Sequence, residues 1–103
     1  MIARVWHGIT EASRADDYLD VLNRTGVPEL QATDGNRGVY VLRRTEGDEA
    51  HFLLISLWES RDDIRAFAGN DIDKARYYLE DQQYLAEFEP NVTHYDVVVA
   101  PGS

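Results

Sequence analysis

His51-Phe52-Leu53-Leu54-Ile55-Ser56-Leu57-Trp58 is the stretch on which the fold turns. Strand side chains alternate between two faces, and here large apolar residues stand on both. Three other runs have strand character: Ile2–Ile9, Val39–Arg44 and Val92–Ala100. Most of them share this two-sided apolar pattern, so both faces of their sheet call for burial. Only two helical regions separate the runs, enough to cover one face. The other face calls for a second copy of the chain, and a homodimer is the first inference.

Outward from this stretch the punctuation is regular. Glu46-Gly47-Asp48-Glu49 reads as a polar hairpin turn joining the second and third strands. On the C-terminal side, Ser60-Arg61-Asp62-Asp63 reads as a helix start with a capping box, Asp63 replacing the usual Glu. Ile64, Phe67 and Ala68 form that helix's apolar stripe, and Gly69-Asn70 ends it. A further helical piece from Asp71 is predicted, with Ile72, Ala75, Tyr78 and Leu79 inward. Residues 81–89 read as irregular or weakly helical, and Pro90-Asn91 turns into the last strand.

After the first strand, Thr10 or Ser13 opens a helix with Glu11, Asp16 and Asp17 near its positive end. Ala15, Tyr18, Leu19 and Leu22 share one helical stripe. Gly26 reads as its C-cap, Pro28 stops it, and Pro28–Ala32 adds a short helical turn. The order strand, helix, strand, strand, helix, strand predicts an α+β, ferredoxin-like βαββαβ unit: an antiparallel sheet with helices on one face. Two such sheets packed through their bare faces form a dimeric α+β barrel. Residues 1–99 make a single domain and residues 100–103 an unstructured tail.

The chain has 103 residues, 44% of them hydrophobic, and 11 aromatics, which suits a compact globule. Its formal charge of −9 argues against nucleic acid and anionic membrane surfaces as partners. With no cysteine there is no disulfide, thiol nucleophile or thiolate metal site. No leader pattern or long apolar span is visible, so a cytoplasmic location is expected. No Gly-rich phosphate loop precedes a helix, which leaves flavin and nicotinamide without support. Neither His-x-His nor His-Glu-x-x-His occurs, and no metal is expected.

Trp58-Glu59-Ser60 leading into Ile64, Phe67, Ala68-Gly69 and Asp71, with a closing His94-Tyr95-Asp96-Val97, resembles the antibiotic biosynthesis monooxygenase-like family. The opening Ile2-Ala3-Arg4-Val5-Trp6-His7-Gly8 fits as well, and the likeness runs from Ile2 to Val98. It implies the dimeric α+β barrel fold. Members of the family include cofactor-free quinone-forming monooxygenases and haem-degrading enzymes. The Asn, Trp and ligating His of the haem-degrading relatives fall here on His7, Phe67 and Tyr77, so none is retained. The Asn and Trp of the quinone-forming enzymes fall on Asp63 and Phe67 and are missing too.

The residues themselves offer candidates. His7 shares an alternation with Ala3, Val5 and Ile9 on the face expected to meet the helices, where a neutral imidazole could take a phenol's proton. A core histidine bonded to a carbonyl or tyrosine is the other reading. Tyr77 is paired with His7 as a catalytic or orienting group. Trp58, Phe67, Tyr78 and Tyr84 are candidates to line a pocket for a flat aromatic molecule, or simply to pack the core. His94 joins them through its alternation with Asp96, as a relay or as an inter-strand pair. Trp6 and Tyr40 are expected on the dimer face, and Arg37 and Arg43 are possible anchors for a substrate oxyanion. The expected function is oxidation of an aromatic or polyketide-like phenol by O2 without a cofactor. The alternatives are a haem-binding or haem-modifying protein and a non-catalytic small-molecule-binding dimer.

Overall fold

The computed structural model describes residues 1–102. Strand β1 spans Ile2–Glu11, β2 Asn36–Glu46, β3 Glu49–Trp58 and β4 Thr93–Asp96. Helix α1 covers Ala15–Arg24, α2 Gly26–Ala32 and α3 Arg61–Ala68. The strands form one antiparallel sheet in the order β2-β3-β1-β4. This is the ferredoxin-like arrangement, with β1 and β3 central and the helices on one side.

Local chemistry explains most element ends. Ser60 Oγ caps α3 by accepting from the Asp63 N–H at 3.3 Å, and its hydroxyl donates to Asp63 Oδ2 at 3.0 Å. Such a cap contributes about 1 kcal/mol. Gly47, at φ 59°, makes the tight turn between β2 and β3. Pro28 does not stop a helix but sits in the first turn of α2, where its missing N–H costs nothing. Gly26 opens α2, and the end of α1 falls at Thr25, whose hydroxyl donates to the Val21 carbonyl at 2.7 Å.

Two expectations on secondary structure fail. The stretch from Asp71 is not a helix: residues 69–78 are irregular, a 3₁₀ turn covers Leu79–Gln83, and Leu79 is 81% exposed. Side-chain bonds of Arg76, Tyr77, Tyr78 and Asp81 fix this stretch in place of a helical ladder. The last strand is also shorter than Val92–Ala100, since only Thr93–Asp96 pairs with β1.

Burial separates the two sheet faces. Arg4, Trp6, Gly8 and Thr10 of β1 lie buried under the helices, with Ala50, Phe52, Ser56 and Trp58 of β3. Ala3, Val5, His7 and Ile9 point to the opposite, uncovered face. Trp6 is therefore a core residue and not a dimer-face residue, and His7 does not face the helices. The residue that reverses the expected orientation is Gly8. The Trp6 ring lies over it, where any Cβ would collide with the ring.

The covered core has two parts. One gathers Trp6, Tyr18, Val21, Leu22, Phe52, Leu85 and Val92 beneath α1 and the irregular segment. The other gathers Leu30, Trp58, Ile64 and Phe67 beneath α2 and α3. Leu54 packs against both.

Candidate functional site

A cleft opens along the seam between these two parts of the core. Its apolar walls are Trp6, Tyr18, Leu22, Leu30, Leu54 and Phe67, and Arg4, Arg76, Tyr78 and Asp81 supply its polar groups. The space is narrow, about 30 Å³ for the centres of water molecules, which is room for about two waters. Arg76 Nη1 pairs with Glu29 at 2.7 Å and the Tyr78 hydroxyl donates to the same carboxylate, so α2 is tied to the irregular segment.

Asp81 is nearly fully buried and fully engaged. Its Oδ1 accepts from the Tyr18 hydroxyl at 2.9 Å and its Oδ2 from the Tyr78 N–H at 2.7 Å. Burial first, and then the Asp81 carboxylate, push the Tyr18 phenol far above the ordinary tyrosine range. Tyr78 is pushed up by burial and by its bond to Glu29. Both remain neutral donors at any physiological pH.

Arg4 is different. It is 5% exposed, its Nη2 donates to the Lys74 carbonyl at 2.9 Å, and its Nε is buried with no partner. Desolvation, with Arg76 nearby, lowers its pKa to about 10. Phe67 lies beneath both guanidinium groups, at 5.4 Å from Arg4 and 5.0 Å from Arg76.

Of the residues singled out from sequence, Phe67 and Tyr78 line the cleft. Trp58 does not: it is wholly buried behind Phe67, its Nε1 donating to Ser56 Oγ at 2.8 Å. Tyr84 packs on Tyr18 from the far side and lies under Arg14, 4.3 Å from its guanidinium carbon. The Tyr77 hydroxyl accepts from Trp6 Nε1 at 3.2 Å and donates to the Glu89 carbonyl at 2.6 Å. Burial raises its pKa, so it holds Trp6 in place as a neutral phenol.

His7 stands apart on the uncovered face, where Nδ1 meets Glu89 and Nε2 lies 3.0 Å from His51 Nδ1. The two imidazoles are stacked, their ring centroids 5.2 Å apart. A hollow of about 300 Å³ beside them is lined by both histidines, Leu42, Leu53, Arg43 and Arg44. His94 is on the covered face, opposite Arg4 in the β1–β4 ladder. Its Nδ1 is 3.0 Å from Asp73 Oδ1, its Nε2 is buried without a partner, and burial lowers its pKa. Arg37 and Arg43 are engaged at the surface by Glu59 and Asp16.

The reading from sequence missed Arg4, Tyr18, Arg76 and Asp81, and misplaced Trp6. One signal was available: a charged residue inside an apolar strand alternates with Trp6 and Gly8. Among the described residues no three His, Asp or Glu side chains are grouped to hold a metal ion, and no helix is long and apolar enough to cross a membrane.

A ferredoxin-like sheet with a cleft under its helices defines a broad class of small α+β proteins. Within that class, this chain belongs to the antibiotic biosynthesis monooxygenase family, whose pattern it matches over residues 9–75. No functionally curated protein matches the sequence. Solved structures share the fold. A candidate antibiotic biosynthesis monooxygenase from Nitrosomonas europaea is 15% identical at a TM-score of 0.67, over 96% of this chain and all of that one. A second candidate, from Bordetella bronchiseptica, is 21% identical at a TM-score of 0.63, over 95% and 97% of the two chains. The haem degrader MhuD of Mycobacterium tuberculosis, solved with two haems bound, is 18% identical at a TM-score of 0.61, over 99% and 100%.

Proposed function

We propose that the cleft oxidises an electron-rich phenolic ring with O2 and no bound cofactor, within a homodimer. The carrying observation is an aromatic-walled cleft whose tyrosines stay protonated and which holds an unpaired cation. In such a reaction the ring is deprotonated to a phenolate, which transfers electrons to O2. For an anthrone, the CH2 group becomes C=O and the second oxygen atom leaves as water, so no external reductant is needed. Arg4 would stabilise the anion. The proton acceptor would be His94, which stands outside the cleft's lining but opposite Arg4 on the same covered face, where Asp73 orients it and burial keeps it neutral. His7 lies across the sheet from this chemistry.

The second copy would cover the open face, where Tyr40, Leu42 and Tyr95 are 54%, 46% and 57% exposed. It would also close the hollow beside His7 and His51.

A haem fits this cleft poorly. Its walls carry no imidazole, and the available phenols, Tyr18 and Tyr78, are held neutral by burial and by carboxylate partners. The test is O2 uptake with a panel of anthrones and hydroquinones. One O2 consumed per anthrone is expected, with His94→Asn slowing turnover by about 10²-fold or more. No uptake across the panel would remove the reading.

A further inference from the structure

We infer that the cleft recognises an aromatic carboxylate, with the acid group seated on Arg4 and the ring on Phe67. This deepens the reading above, since it names the ligand class of the same cleft, but it requires no turnover.

The argument starts from the cost of a buried cation. A guanidinium removed from water requires a partner of opposite charge. Among the described residues, every other arginine that packs against this part of the sheet has one or is open to water. Arg76 has Glu29. Arg4 has only a backbone carbonyl and the face of Phe67, and its Nε–H points at nothing. Asp73 acts on Arg4 through its charge and favours the cation, but no nearby carboxylate forms an ion pair with the guanidinium. Asp81 is engaged by Tyr18 and Tyr78, and Asp73 is bonded to His94. A chain of net charge −9 that keeps one buried cation unpaired has a binding group in waiting.

The surroundings decide what kind of anion completes it. Phe67, Trp6, Leu54 and Leu30 offer ring faces and aliphatic walls, and the hydroxyls of Tyr18 and Tyr78 are taken up by Asp81 and Glu29, which suits an apolar body carrying a single acid group. A carboxylate matches the planar guanidinium fork. Arg76 packs on the same Phe67 ring, 5.0 Å from its centroid. It would become a second anion contact once an entering ring displaces it from Glu29. That displacement also supplies the room, because the closed cleft holds only about two waters.

The bland account is that Arg4 merely pins the irregular segment through Lys74. Calorimetric titration of the full chain with benzoate and with its neutral isostere benzamide separates the two. Benzoate is expected to bind at least tenfold tighter, and Arg4→Met to shrink that preference at least fivefold. Equal affinities for the two probes in the wild-type chain, or a preference undiminished by Arg4→Met, would overturn the inference. If Arg4→Met does not fold, the Nε–H resonance of Arg4 in the wild-type protein decides: it should shift on titration with benzoate and not with benzamide. A resonance that ignores both would equally overturn it. Absence of O2 uptake, by contrast, would remove only the oxidation chemistry.

Discussion

The two faces of this sheet are almost equally apolar in sequence and opposite in their fate. On β3, Phe52 is wholly buried under the helices, while its neighbour Leu53 points to a face that nothing in the monomer covers. The covered face is the one that carries a buried arginine, a glycine and two small hydroxyl residues, Thr10 and Ser56. The open face of β1 carries Ala3, Val5, His7 and Ile9. Hydrophobicity alone therefore does not tell which alternating set meets the helices. Shape does, because helices need a floor of small residues on which large rings can lie, and Trp6 over Gly8 is such a place.

Truncating one residue on each face gives the sharpest contrast. Phe52→Ala should cost about 3–5 kcal/mol in denaturant unfolding, at any protein concentration, because it opens a hole in a core that cannot collapse. A loss under 1 kcal/mol would mean the covered face is not the principal core. Leu53→Glu should do something different. It should shift the dimer–monomer equilibrium by about 30-fold or more, the scale of a central interface residue, and remove the concentration dependence of Tm. Sedimentation velocity reads this directly, and a chain that is monomeric before the substitution, or a dimer unchanged by it, would show that this face does not pair copies.

Much of the fold was legible because its signals are local and periodic. The two-sided strand His51–Trp58, the turn at Gly47, the cap at Ser60 and the α1 stripe all express period or turn chemistry within ten residues. The site was far less legible. It is assembled from β1, α1, α2, α3 and an irregular segment, and depends on which face of β1 turns inward. Choosing the more hydrophobic set put His7 inside and Trp6 outside, which hid Arg4 as well. Tyr77, Tyr78 and Tyr84 are near neighbours in sequence, yet only Tyr78 lines the cleft. Without a helical period in that segment, spacing says nothing about direction.

Arg4 supplies a smaller test of the same contrast, since a charge on the covered face is retained at a cost. Arg4→Met should raise the stability of the ligand-free protein by about 1 kcal/mol, the gain from removing an unpaired buried charge exceeding the lost bond to Lys74. Thermal unfolding without ligand measures it. A fall in Tm would mean the guanidinium is chiefly a clamp on the irregular segment.

The smallest effect concerns His94, where the covered face meets the sheet edge. Its Nε2 is buried, and desolvation holds its folded pKa below the ordinary 6.5 despite the favourable bond to Asp73. The unfolded chain therefore binds a proton at a pH where the folded one does not. The resulting contribution to stability is complete above the unfolded pKa, about 6.5, and is lost as pH falls toward the lower folded value. His94→Asn, whose amide can still donate to Asp73, should flatten the dependence of unfolding free energy on pH below about 6.5. An unchanged slope would mean that His94 is as well hydrated when protonated as a surface histidine. That would remove burial as the reason this imidazole stays neutral, leaving only its place on the covered face to recommend it as the base.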